Sequence, residues 1–215
     1  MIITLPKDSG NFLEIYDSNT QTVYYGGRQQ LFTDKRYRDK GCGSIAIANI
    51  ILYMHIGKKR VSLGEYTDIA EKVNQTLKPD ADGFALMRAY RTYTGCKVKY
   101  FPLIFNKKEM LFERIKLSLS DDRPLVISVY NKKSYPVYRT ESITENIRCS
   151  REYRVKAHYM TVTGVAAGNN KRWIIMSNWG ERFVLDYDDY YDVNKYLFRN
   201  GAGSSIGSGI FEFTK

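Results

Sequence analysis

Gly41-Cys42-Gly43-Ser44 runs directly into Ile45-Ala-Ile-Ala-Asn-Ile-Ile-Leu-Tyr-Met-His-Ile56, and this stretch decides the fold. Ten of the thirteen residues from Ser44 to Ile56 are apolar or tyrosine. A helix that is apolar on every side must be packed on every side, so the segment is expected to run through the middle of the protein. Cys42 then sits in its first turn, where unpaired N–H groups and the positive end of the helix dipole favour an anion. Such a position lowers a thiol pKa and supplies the nucleophilic thiolate near neutral pH. The competing reading is an inert core cysteine.

A nucleophilic thiol needs a base, and the chain has two histidines. His55 lies thirteen residues beyond Cys42 on the same helix, about 20 Å away at 1.5 Å per residue, so it cannot serve. His158 remains, in Ala157-His-Tyr-Met-Thr-Val-Thr-Gly-Val165, a β-branched, strand-like pattern. Ala166-Ala-Gly-Asn-Asn170 reads as a turn and Lys171-Arg-Trp-Ile-Ile-Met-Ser-Asn-Trp-Gly180 as the returning strand. A hairpin centred near Gly168 sets Asn178 directly opposite His158, close enough for an amide oxygen to orient the imidazole. Trp179 would shield that bond from water. A bulge would shift the register and make Ser177 the partner instead.

Gly-Cys-Gly-Ser heading an apolar helix, a His-led strand and then Ser-Asn-Trp-Gly resemble the papain-like cysteine peptidases, with the order Cys, His, Asn. Within them the chain looks closer to the bacterial group that includes the bacteriocin-leader-processing (double-glycine) peptidases. The resemblance implies an α+β fold in which a central buried helix carrying the cysteine packs against an antiparallel sheet carrying His158 and Asn178. It also implies a glutamine ahead of the cysteine that donates to an oxyanion. In Tyr24-Tyr-Gly-Gly-Arg-Gln-Gln-Leu-Phe32 this role falls to Gln29, with Gln30 as the other candidate, together with the Cys42 N–H. Two departures stand out. Aligning on Trp-Gly puts Ser177 where the papain pattern has asparagine, and Leu31 to Lys40 forms an expected looped insertion between glutamine and cysteine.

At 215 residues and 43% hydrophobic, the chain can bury a full core, and residues 1–215 are expected to form one domain. Met-Ile-Ile-Thr-Leu-Pro-Lys-Asp does not look like a signal peptide, and no window approaches a membrane span. Three cysteines (Cys42, Cys96, Cys149) argue against a disulfide framework and suit a reducing, cytoplasmic compartment. No Cys/His spacing suggests zinc, and no cofactor is implied. The net charge of +10 and the 18 tyrosines fit a nucleic-acid binder, but the basic residues are spread along the chain and no such motif is legible. Lys35, Arg36, Arg38 and Lys40 cluster before Cys42, so the expected partner is a peptide or protein substrate, with acidic groups favoured by steering.

Elsewhere Ser62-Leu-Gly-Glu65 is a capping box opening a helix that stops at Pro79. A helix from Phe84 to Thr94 ends at Gly95, Lys97 to Ile104 reads as a strand, and Asn106 with Glu109 should cap a fourth helix. Pro124 to Tyr130 is a buried strand. Asn131 to Lys156 is long and polar, either a flap or an extra hairpin. Gly201 to Gly209 lacks the context of a phosphate loop and reads as a loop before a last strand, Ile210 to Phe213. Three function classes remain: a cysteine peptidase or amidase, an acyltransferase or transglutaminase-like enzyme using the same thioester, and a non-catalytic binding domain.

Overall fold

A computed structural model describes all residues except 6–11, 144–146, 169 and 200–207. The chain opens with β1 (Ile2–Thr4), β2 (Glu14–Asp17) and β3 (Thr22–Tyr25), and then forms α1 (Lys35–Lys40) and α2 (Cys42–Ile50). Next come β4 (Arg60–Ser62), α3 (Leu63–Asn74), α4 (Gly83–Thr94), β5 (Val98–Pro102) and α5 (Lys108–Ser120). The long strands β6 (Leu125–Thr140) and β7 (Cys149–Gly168) follow, then β8 (Lys171–Asn178), β9 (Glu181–Asp186), α6 (Tyr187–Arg199) and β10 (Gly209–Phe213).

Helix α2 is the axis of the molecule. Gly43 to Met54 are all buried, and the helix passes without a break into a wider π-type turn over Ile51–Ile56. It lies against α3, α4 and β7. Such complete burial follows from the sequence, because no face of this segment carries charge that water could solvate. At its far end Gly57 adopts φ 70° and closes the helix, while half-buried His55 contacts the Tyr90 hydroxyl at 2.6 Å.

The sheet has seven strands in the order β1-β7-β8-β9-β6-β10-β5, all antiparallel. Strands β6 and β7 also pair with each other, so β6, β7, β8 and β9 close on themselves. Closure removes free edges among the strands that carry His158 and Asn178, which makes their relative positions stiff. The architecture is α+β: the cysteine-bearing helix packs on an antiparallel sheet bearing the histidine and the asparagine. A second, three-stranded sheet (β3-β2-β4) flanks it. No helix among the described residues is long and apolar enough to cross a membrane.

Elements set by neighbouring residues form as expected. Ser62 and Glu65 form the full capping box, and Gly95 ends α4 with φ 74°. Four elements differ from the expectation. Helix α3 ends at Asn74 rather than at Pro79, although the Leu77 N–H still reaches the Val73 carbonyl at 2.9 Å and keeps Leu77 buried. The strand expected to reach Ile104 stops at Pro102, where a single 3₁₀ turn over Leu103–Phe105 begins. That turn takes up Asn106, whose Nδ2 donates to the Pro102 carbonyl at 2.7 Å, so Lys107 becomes the N-cap of α5, with no side-chain cap bond. The segment from Leu31 to Lys40 is not purely a loop: Asp34 accepts from the Arg36 N–H and opens α1.

The polar stretch from Asn131 to Lys156 is largely a hairpin extension of β6 and β7, paired out to Thr140 and Cys149 with irregularities near residues 130–135 and at Arg139. The glycine-rich stretch from Gly201 lies mostly outside the described residues; it leads into β10, which pairs with β5 and β6.

Ile47 is fully buried at the centre of α2. Ile47→Ala is expected to destabilise the protein by about 2–5 kcal/mol through lost burial and a residual cavity. Urea denaturation should show a lower midpoint at an unchanged slope. A loss under about 1 kcal/mol would mean that α2 is not the centre of the core.

Candidate active site

Cys42 is the first residue of α2, and Gly41 serves as the end of α1 and the start of α2 at once. The Gly41 N–H donates to the Tyr37 carbonyl at 2.8 Å, and its own carbonyl accepts from Ile45 at 3.1 Å. A Cβ at Gly41 would sit 2.4 Å from the Tyr37 carbonyl oxygen and 2.9 Å from the Phe32 ring. Only glycine permits this tight junction, which turns the half-buried thiol into a cleft instead of the core.

His158 stands on β7 opposite Val129 of β6 and is 9% exposed. Its Nε2–H donates to Asn178 Oδ1 at 2.7 Å, which leaves Nδ1 for the thiol side. The ring of Trp179 lies 5.1 Å from the imidazole, centroid to centroid, and also packs on Tyr153 and Phe183. Trp179 and Gly180 have φ 48° and 76° and form the two-residue link between Asn178 and Glu181, with both φ values positive as in a type I′ turn. A bulky residue rarely takes φ > 0, and here the ring contacts hold it there. The indole thereby covers one side of the His–Asn hydrogen bond.

The register that brings these residues together differs from the expected one. Pairing near the turn matches Gly168 with Lys171, and beyond an irregularity at Thr163 it matches Thr161 with Ser177. On this register Asn178 lies two residues off from His158, a diagonal neighbour rather than a direct one. The imidazole, the longer of the two side chains, reaches across the diagonal to the carboxamide. Ser177, the other candidate, turns away and donates its hydroxyl to the Tyr25 carbonyl at 2.7 Å.

Electrostatics couple the thiol to the imidazole. Burial alone pushes the Cys42 thiol up, but the charge of the His158 ring and a hydrogen bond from it pull it down. The backbone N–H groups of Tyr159 and Gly43 add to this, and the net shift is downward. Burial pushes His158 down; the Cys42 charge and hydrogen bonds to Cys42 and Asn178 raise it, and the net shift is upward. A charge on either group favours the opposite charge on the other. The contribution of the Tyr159 backbone had no signal in the sequence, since any residue type supplies an N–H.

Gln29 is buried in a 3₁₀ turn, where its Nε2 donates to the Arg38 carbonyl of α1 at 2.7 Å. It shares a small cavity with Cys42, Tyr159 and Asn178. A carboxamide nitrogen carries two hydrogens, so one donor remains beyond the Arg38 contact. Gln30 is exposed and lines a surface hollow with Arg28 and Trp179 that does not include Cys42. Cys42 and His158 line a cleft of about 330 Å³ together with Leu77, Ala81, Tyr130 and Tyr159. Its charged lining is mixed: Asp39 and Asp80 with Lys40 and Lys78.

The basic cluster before the cysteine is therefore less free than its sequence suggests. Arg36 pairs with Asp34 at 2.8 Å, Lys40 pairs with Asp80, and Arg38 is turned to the Phe32 and Thr33 carbonyls. Among the described residues no three His, Cys, Asp or Glu side chains are grouped as metal ligands.

No protein-family model matches the chain, and no curated protein does. Among solved structures, one similar chain is described as a "putative C39-like peptidase" from Bacillus anthracis. The likeness has a TM-score of 0.43 and 14% identity, and covers 87% of this chain and 93% of that one.

The lowered thiol and raised imidazole predict reactivity. Iodoacetamide at about pH 6.5, well below the ordinary thiol range, should label Cys42 faster than Cys96 or Cys149. The sign follows from the shifts: thiolate accumulates once pH exceeds the lowered Cys42 value, whereas burial moves Cys149 the other way. His158→Ala should move the onset of Cys42 labelling up toward the ordinary thiol range. Equal labelling of all three cysteines, read by mass spectrometry, would contradict this.

Proposed function

We propose that the protein is a cysteine peptidase or amidase of papain-like type that works through an acyl-thioester. The contact of His158 with Asn178, beside a thiol lowered by that same imidazole, is the observation that carries the reading. Support also comes from the position of Gln29, buried and next to Cys42.

In this reading the Cys42 thiolate attacks the substrate carbonyl, forming a C–S bond and driving the π electrons onto oxygen. The oxyanion accepts from the spare Gln29 Nε2–H and from the Cys42 N–H, a first-turn group with no helical partner. The His158 imidazolium passes its proton to the leaving nitrogen as the C–N bond breaks. Water then attacks the thioester, His158 takes its proton, and the thiolate departs. Asn178 holds the ring so that Nδ1 faces the sulfur throughout. A reducing compartment such as the cytoplasm would keep the thiol in its working state.

The substrate is a peptide lying in the cleft across Leu77 and Tyr159. With two lysines and two aspartates in the lining, a preference for acidic peptides should be small, less than about fivefold, and should fade with salt. The same acyl-thioester can be captured by an amine, so the ratio of hydrolysis to amine incorporation separates peptidase from acyltransferase.

Cys42→Ala should abolish turnover of a peptide library at unchanged fold. Gln29→Ala should lower kcat by about 10²-fold, the usual effect of losing one oxyanion donor. Gln30→Ala, at an exposed position, should stay within about twofold of the parent. A Gln29→Ala variant with parental kcat would remove Gln29 from the mechanism, and turnover surviving Cys42→Ala would end the proposal.

A further inference from the structure

Asn49 is fully buried in the otherwise apolar core of α2, seven residues and about two turns beyond Cys42. Burying a carboxamide is costly unless its groups are hydrogen-bonded, and this one is used from both ends. Its Oδ1 accepts from the Gly27 N–H at 3.0 Å and from the Tyr66 hydroxyl at 3.1 Å. Its Nδ2 donates to Thr161 Oγ1 at 3.1 Å. The partners belong to three separate parts of the chain. Gly27 lies two residues before Gln29, Thr161 three residues after His158 on β7, and Tyr66 on α3.

The packing around this carboxamide leaves no slack. Gly26 has φ 72°, and a Cβ there would lie 2.1 Å from Ser177 Oγ and 3.2 Å from Asn49 Nδ2. A Cβ at Gly27 would fall 1.8 Å from the Tyr66 hydroxyl. The backbone of Gly26 therefore lies directly on Ser177 and Asn49, and that of Gly27 on Tyr66. It is tied from the far side as well, since the Gly180 N–H donates to the Gly27 carbonyl at 3.1 Å.

We propose that Asn49 is a positioning residue that sets the oxyanion donor Gln29 against Cys42 by holding the Gly27 backbone to the nucleophile's own helix. This rests on the peptidase reading above. Because Asn49 and Cys42 share one rigid helix, the Gly27 contact fixes the start of the 3₁₀ turn carrying Gln29 in the frame of the thiol. A displacement of about 1 Å in such a donor is enough to weaken catalysis markedly.

The test compares two reactions of the same thiol. Acylation by p-nitrophenyl acetate passes through an oxyanion, whereas alkylation by iodoacetamide does not. In Asn49→Ser, acylation should fall by about tenfold or more while Cys42 alkylation and its pH profile stay within about twofold. In a Gln29→Ala background, Asn49→Ser should add less than about a twofold further loss, because the group it positions is gone. Tyr66→Phe removes one hydroxyl and keeps the ring, and should show the same pattern at smaller size; it carries the test if Asn49→Ser does not fold.

Parallel loss of acylation and alkylation, or full multiplication of the Asn49→Ser and Gln29→Ala effects, would overturn the proposal. A crystal structure of Asn49→Ser gives an arm independent of turnover: Gln29 should leave the Arg38 carbonyl, and an unmoved Gln29 would overturn the positioning role. If Gln29 moves but the parent protein is never acylated, the peptidase reading fails and the positioning role stands.

Discussion

Burial opposes charge on both Cys42 and His158, and the charge of each favours the charge of the other, so the thiol is shifted down and the imidazole up. Much of the architecture serves to bring these two groups to one place. The thiol arrives on a helix start, where N–H groups already point at an anion, and the imidazole arrives on a strand of a closed set. A helix end and a strand centre are stiff elements, and stiffness matters because attraction in a half-buried site falls steeply once water enters.

The same demand explains the conformational cost at Trp179. A tryptophan with φ 48° is strained, yet the two-residue turn it forms with Gly180 does two things together. It ends β8 so that Asn178 projects toward His158, and it lays an indole on the hydrogen bond between them. Packing of that indole on Tyr153 and Phe183 offsets the strain, as expected where an unusual backbone is held by its surroundings.

A second set of constraints comes from groups without charge. The junction at Gly41, the glycine pair at Gly26 and Gly27, and the buried carboxamide of Asn49 all concern how closely backbone can approach backbone. In sequence they are small or ordinary residues. Their importance shows only as the absence of room for a Cβ or as a hydrogen bond between distant segments. A lone asparagine within Ile45 to Met54 was the single legible hint, since a polar group in an apolar helix must find partners.

The sequence by itself determined what depends on neighbours a few residues apart. The apolar run after Cys42 is a buried helix because no face of it is polar, and Ser62 with Glu65 caps α3 through bonds three residues long. The exclusion of His55 follows from helical rise alone. Tertiary structure alone decided the rest. The irregularity at Thr163 set the β7–β8 register and made His158 and Asn178 diagonal partners. Ser177 turns toward Tyr25 while Asn178 meets His158, and Gln29 is buried against α1 while the adjacent Gln30 is exposed. Each of these depends on which way a side chain faces, and strand twist, bulges and packing from distant segments set that direction, none of which is encoded in local periodicity.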